Sequence, residues 1–526
     1  MSEGTAPDTL TGEVEGVLDD GIAPGVDMIM VRLEGSRVTD SNGDVDAGVW
    51  AGMSGSPVYA ADGRLIGAVA YSLSFSPSQY AGVTPAAAMY DVLDYRGRPA
   101  RSVDVPTSVE RDLRADGVAR AGSERFRRLP MPTSVSGGLS QNRLERLAER
   151  AKFTRPLVAH GGRASAGEVG ENLRAGGNLT ASLSYGDITA AGTGTVTAVC
   201  DQEVVGFGHP MLWSGPSDLT MHGAEALFVQ PDTTFGSFKV ANPSGPVGAI
   251  VQDRLAAIVG VLGDAPVATS VTSSMTSSEG NSRDGETLVS HTDELPFLTA
   301  LHVLFNADVV FDGIRGGTGD IGWTIAVIRE DGSITRIQRE DLVADGRDLT
   351  FDLLWGIFRD LGRIVNNPFE EVEVTDVDVT AQLETRLLQG RIAEVEARRG
   401  GEWITVDEDT RLTVRAGGTI PLRAHVRPTS DSDSAPDTVR VDAFVPDRGE
   451  ATRGHVHLFG GGRGGGGNVG SFDELVENIE NQPPSNSVGG YFHYTGRGGG
   501  GRSTIEPAET TSTVAGGFDF SVLVKR

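Results

Sequence analysis

The chain has 526 residues, 38% hydrophobic and 22% charged, which is the composition of a folded protein with about three domains of ordinary size. Its formal net charge of -27 speaks against nucleic acid and anionic membranes as partners, because phosphate surfaces need a basic face. The single cysteine, Cys200, excludes an internal disulfide and a cysteine-based zinc site, and a lone thiol on a strand reads as a small core residue.

From Thr11 to about Leu93 the pattern is short strands and glycine turns. Gly12 to Leu18 alternates weakly, Asp19-Asp20-Gly21 and Pro24-Gly25 read as turns, and Val26 to Leu33 reads as a strong strand. Gly52-Met53-Ser54-Gly55-Ser56-Pro57-Val58-Tyr59 then reads as a tight turn carrying a serine. Gly52 and Gly55 flank Ser54 with residues that lack Cβ, so the backbone can expose the hydroxyl and aim successive N–H groups into one pocket. That suits a nucleophile beside an oxyanion hole. Asp62-Gly63 is a hairpin signal, and Leu65 to Val69 reads as a strand buried on both faces. In a chain with 71 glycines such a turn also arises by chance, so the pattern alone decides nothing.

Residues 97–177 read as a connecting region broken by Pro99, Pro106, Pro130 and Pro132, with one helix capped by Ser140 that buries Leu144 and Leu147. A second strand-rich region, 178–275, has strands at Leu179 to Leu183, Gly194 to Val199 and Glu203 to Phe207. The last runs into Gly206-Phe207-Gly208-His209-Pro210-Met211. His209 at a strand end is a candidate general base, although a lone histidine there is more often structural. Residues 276–369 read as an α+β bracing region, with helices near Pro296 to Phe305 and Leu349 to Ile364 and a hairpin at Glu330-Asp331-Gly332.

From Glu371 the period changes to two, and residues 370–526 read as a β-sandwich-like domain. Its glycine-rich stretch, Gly460 to Gly467, lacks the lysine of a phosphate-binding loop. Ser471 and Glu474 form a capping box opening a helix to Asn478. His455 and His457 share a strand face, but with no third ligand in sequence reach they read as structural, so no metal and no cofactor is expected. No apolar run approaches the ~20 residues of a membrane span, and the first eight residues have no signal-peptide pattern.

The run Ala51 to Pro57, Leu65-Ile66-Gly67-Ala68-Val69 and Gly82-Val83-Thr84-Pro85 resembles the serine segment of the SpoIVB-type peptidases, the sporulation stage IV B serine protease family. Gly194-Thr195-Val196-Thr197, Phe207-Gly208-His209, Gly248-Ala249-Ile250 and Ile258-Val259-Gly260 resemble the histidine half of the same family. The likeness covers about residues 10 to 95 and 178 to 265. It implies two small chymotrypsin-like barrel halves, 1–96 bearing serine and 178–275 bearing histidine, which with the bracing helices and the sandwich-like domain read above makes a mainly β chain. No histidine precedes Ser54, so by this resemblance either the halves stand in permuted order or a leading histidine half is missing and His209 does something else; that both halves are recognisable favours permutation.

By this resemblance Ser54 is the nucleophile, His209 the general base, and the N–H groups of Gly52 and Ser54 the oxyanion hole. The acid is implied just upstream of the serine turn, where the chain has Glu34-Gly35 and an insertion, Asp40 to Asp46. Asp253 is the alternative, in competition with an ion pair to Arg254. The expected function is a serine endopeptidase for limited regulatory or envelope-related proteolysis of protein substrates, with a possible protein partner at the C-terminal domain. The resemblance implies an exported or envelope protein, against the leaderless start. Two other expectations stand beside it. A non-catalytic binding scaffold keeping the protease fold requires Ser54 and His209 to be out of hydrogen-bond reach or blocked by packing. A chain that assembles with a separate N-terminal half requires an unpaired edge on the first barrel.

Overall fold

The computed structural model describes residues 2–73, 77–93, 102–104, 125–128, 133–154, 157–158, 161–164, 173–232, 236–407, 410–447, 452–462, 469–496 and 499–525. Most of the proline-rich connecting region, Pro99, Pro106, Pro130 and Pro132 included, lies outside them, as do residues 463–467 of the glycine-rich stretch. The fold is mainly β, with 54% strand and 14% helix. The chain divides into two compact units, Met1–Thr269 with Thr287–Leu298, and Ser270–Glu286 with Thr299–Arg526.

The first unit begins with a sheet of strands β1 (Thr11–Ala23), β2 (Val26–Glu34), β3 (Pro57–Tyr59), β4 (Leu65–Leu73), β5 (Tyr80–Pro85), β6 (Ser102–Asp104) and β7 (Arg125–Arg128). Their order is β1-β2-β5-β4-β7-β6, with β3 also on β4. β1 runs through Asp19-Asp20-Gly21, where a turn was expected. Asp20 takes φ of 52°, and the pairing with β2 slips between Leu18 and Ala23, so these residues form a bulge within the strand. Among the described residues β1 pairs only with β2 and stands at the sheet edge. Asp62-Gly63 does turn β3 into β4, with Gly63 at φ of 85°.

After the short strands β8 (Thr133–Val135) and β9 (Leu157–Val158) come β10 (Asn178–Gly186), β11 (Ala190–Cys200), β12 (Glu203–Gly206), β13 (Gly215–Gln230), β14 (Phe238–Asp253) and β15 (Ile258–Leu262). These last six pair as β10-β13-β14-β15-β12-β11, and β11 returns to β10, so they close an antiparallel barrel. The β13–β14 hairpin has two arms of 16 residues. Four register shifts along it supply the bends by which a flat ribbon can wrap a barrel. Ala68, Met89 and Val92 of the first sheet and its following helix pack with Val205, Ala256, Ala257 and Val259 of the barrel in one apolar cluster. Burying a Val or Met side chain there is worth about 1.5–3 kcal/mol. This cluster locks the two β structures on either side of the serine turn.

In the second unit Gly317–Arg329 and Ile334–Asp345 form the expected hairpin, turned at Gly332 with φ of 80°. The helix expected from Leu349 to Ile364 is two, Leu349–Leu353 and Trp355–Val365. The C-terminal strands make two five-stranded sheets. Alternate residues such as Val395, Leu422 and Ala424 from one, and Val456, Leu458 and Phe492 from the other, share one core, which is a sandwich. Ser471 caps the helix Phe472–Glu480 by accepting from the Glu474 N–H at 3.2 Å. The stretch Thr292–Phe311, 20 residues, is by length and composition apolar enough to cross a membrane, and 78% of its most apolar window is buried inside the protein, as in a core helix.

Candidate active site

Ser54 sits in a turn stitched at both ends. The Met53 N–H donates to Trp50 O at 3.1 Å, the Ser56 N–H to Met53 O at 2.8 Å, and Gly55 and Ser56 exchange backbone bonds with Val69 of β4. Gly52 at φ of 103° and Gly55 at φ of 94° hold conformations that side-chain-bearing residues rarely adopt. β11 then grips the turn by its carbonyls. Thr195 N–H donates to Ser54 O at 2.7 Å, Thr195 Oγ1 to Gly52 O at 3.0 Å, and Thr197 Oγ1 to Gly55 O at 2.8 Å. With these carbonyls and the Met53, Gly55 and Ser56 N–H groups engaged, two amides of the turn remain. Among the described residues no acceptor meets the Gly52 or Ser54 N–H, the two groups expected to form an oxyanion hole.

His209 lies in the tight loop between β12 and β13. Phe207 and Gly208 take φ of 68° and 69°, and Thr84 of β5 donates from Oγ1 to Gly208 O at 2.6 Å, so the first sheet fixes the residue before the histidine. Nε2 of His209 is 2.8 Å from Ser54 Oγ, and Nδ1 is 2.8 Å from Pro210 O. A carbonyl oxygen only accepts, so Nδ1 carries the hydrogen. The neutral ring therefore presents a bare Nε2 to the serine hydroxyl, the tautomer a general base needs. Ser54 and His209 are both 0% exposed.

Neither candidate acid stands beside Nδ1 as expected. Glu34 ends β2 on the exposed side, where its carboxylate receives Arg32 at 3.3 Å. Asp253 closes β14 and is fully buried. Its two oxygens accept from the N–H groups of Met211, Leu212 and Trp213 at 2.8, 2.6 and 2.7 Å. Burial pushes its pKa up, and those backbone bonds oppose the shift. Arg254 turns instead to Gln252, at 2.7 Å. Asp253 thus ties down the chain immediately after His209-Pro210, a role that the sequence did not announce. The position where a triad acid would meet the ring is filled by the Pro210 carbonyl, which fixes the tautomer and adds no negative charge.

A second pair repeats this geometry inside the barrel. Ser182 Oγ and His222 Nε2 are 2.8 Å apart, and His222 Nδ1 is 2.9 Å from Ser244 O. Both side chains are fully buried on strands, β10 and β13, and burial lowers the His222 pKa to about 4. Here the serine has no positive-φ glycine flanking it as Ser54 does, and the contact satisfies two buried polar groups. The pair was missed in sequence because only the β10–β13 register brings its members together.

Cys200 is exposed, not a core residue, because it ends β11 beside the Asp201 turn. His455 and His457 gain neighbours from the next strands: His457 contacts Asp519 through Nδ1 and lies 3.1 Å from His493 Nδ1 through Nε2. Among the described residues no group of three or more His, Cys, Asp or Glu is placed to hold a metal ion.

No protein-family model, no curated protein and no solved structure matches the chain.

Proposed function

We propose that the chain is a serine endopeptidase of the SpoIVB type with permuted halves, acting in limited regulatory or envelope-related proteolysis. The observation that carries this reading is the 2.8 Å contact between Ser54 Oγ and a His209 Nε2 left bare by the Pro210 carbonyl. In the reaction His209 takes the Ser54 proton as Oγ attacks a peptide carbonyl, and gives it to the leaving amine. The Gly52 and Ser54 amides receive the developing oxyanion, where each donor of this kind is worth about 10²–10³ in rate. Water then releases the acyl group by the same steps. Both reacting side chains are buried, so Oγ is not open to a substrate in this conformation.

That burial favours a second reading, a non-catalytic binding scaffold that keeps the protease fold. A fluorophosphonate serine-hydrolase probe separates the two. The peptidase reading expects wild type to label, and Ser54→Ala and His209→Ala, with unchanged melting temperatures, to stay unlabelled. A folded wild type that does not label, over a range of pH and after mild heating to open the site, leaves the scaffold reading standing.

A further inference from the structure

A cavity of about 300 Å³ lies against the serine turn, at the small end of ligand-pocket sizes. Met53 and Ser56, from either side of Ser54 in the chain, line it, with Trp50, Tyr59, Asp8 and Lys239. Asp8 and Tyr59 are exposed, so its rim faces solvent. Among the described residues of its lining Lys239 is the cation, and it is buried.

The lysine is held from its backbone outward. Its N–H donates to Ala51 O at 2.9 Å, and the Ala51 N–H donates to Ser237 O at 2.8 Å, so β14 and the approach to the serine turn are clamped together. Its stem lies against Gly52. A Cβ on that glycine would come within 2.8 Å of Lys239 Cβ and 3.2 Å of Cε. The amine reaches Asn178 Oδ1 at 2.8 Å, and Asn178 is itself oriented by donating from Nδ2 to Ala224 O at 2.9 Å. An amide oxygen carries no charge, so this bond does not neutralise an ammonium. The Asp8 carboxylate at the rim acts on it electrostatically, and burial pulls its pKa down to about 7. Burying a cation beside a neutral acceptor is unfavourable unless an anion joins it. In a chain of net charge -27, this placement marks the cavity for a carboxylate from outside.

We propose that the cavity is the specificity subsite of the peptidase and takes an acidic side chain, Asp or Glu, of the protein substrate, with Lys239 as the recognising cation. This rests on Ser54 being the nucleophile, and it places the acidic side chain beside the turn whose Gly52 and Ser54 amides face the scissile carbonyl. Asp8 is the internal carboxylate that partly screens the amine until substrate arrives.

The test uses full-length Ser54→Ala protein and fluorescein-labelled alanine pentapeptides in which Glu or Gln is walked through each position, read by fluorescence anisotropy. For at least one position the Glu peptide binds at least tenfold more tightly than its Gln counterpart. Adding Lys239→Met removes the difference, and Lys239→Arg retains it. Equal or undetectable binding of the Glu and Gln peptides at every position, with Lys239 in place, overturns the proposal whether or not Lys239→Met folds. So does a Glu preference that survives in folded Lys239→Met. Fluorophosphonate labelling of wild type keeps the two readings apart. Labelling without Glu preference sinks the subsite alone, whereas Glu preference without labelling sinks the nucleophile assignment and with it the proposal as stated.

Discussion

Gly55→Ala tests the serine turn most directly. At its φ of 94° an added Cβ would fall 1.9 Å from Thr195 O and 2.5 Å from Phe207 N, both backbone atoms that cannot swing aside. Reaching ordinary contact at 3.4 Å needs a retreat of about 1.5 Å, the difference between 3.4 and 1.9. That retreat breaks the bonds from Thr195 N–H to Ser54 O and from Thr197 Oγ1 to Gly55 O. Two net hydrogen bonds at about 1 kcal/mol each, with about 1–2 kcal/mol for the left-handed conformation, give a loss of roughly 3–4 kcal/mol. Calorimetry should show a melting temperature lower by on the order of 10 °C. If Ser54 is the activated nucleophile, moving it this far from His209 should slow fluorophosphonate labelling by at least ~10²-fold. Gly63→Ala is the control. Gly63 also has positive φ, at 85°, but a Cβ there meets nothing within 4 Å, so it should lose about 1–2 kcal/mol and label at the wild-type rate. A Gly55→Ala protein with wild-type melting and labelling would refute the claim that β11 seats the serine turn.

Asp253→Ala should leave three backbone N–H groups without their acceptor, each worth about 1–3 kcal/mol when buried, and should slow labelling while Ser54 itself is untouched. Wild-type melting and labelling would show that the carboxylate does not hold the His209 loop. His222, with a folded pKa of about 4 against 6.5, stays neutral in the fold, so its contribution is full above pH 6.5 and is lost as pH falls from there through 4. The gap corresponds to about 3 kcal/mol, seen as a decline in urea-melt stability over that window that His222→Gln flattens. An unchanged pH slope in His222→Gln would remove the titration from that residue. Ser182→Ala should label as wild type does, since the second serine–histidine pair is a packing contact, and loss of labelling in a folded Ser182→Ala would overturn that distinction.

Local chemistry was readable in the sequence wherever a contact lies within a few residues. The Gly52-Met53-Ser54-Gly55 turn, the Asp62-Gly63 hairpin and the Ser140 and Ser471 caps depend on backbone conformation over three or four positions, and all are found. Contacts set by register were hidden. Lys239 sits in an ordinary strand pattern, and nothing in its neighbours in sequence shows that Asn178, 61 positions away, receives its amine. Asp253 next to Arg254 read as half of an ion pair, and its true partners are 40 to 42 positions upstream. The loop between β12 and β13 supplies its own carbonyl to Nδ1, so a search for carboxylates alone could not find what fixes His209. Asp19-Asp20-Gly21 has turn chemistry, but pairing with β2 on both sides turns it into a bulge.

The three bonds by which β11 grips the serine turn join residues about 140 positions apart, and the bond from Ser54 to His209 spans 155. On a ribosome adding roughly 5–20 residues per second, Ser54 emerges many seconds before the barrel that must orient it can close. During that interval the hydroxyl is an ordinary alcohol with no base beside it. On the proposed peptidase reading, a nascent chain of this design carries no activated serine until β15 has been made. If Ser54 is the nucleophile, the order of Ser54 and His209 in the chain acts as a timer that arms it only after most of the first unit has been synthesised.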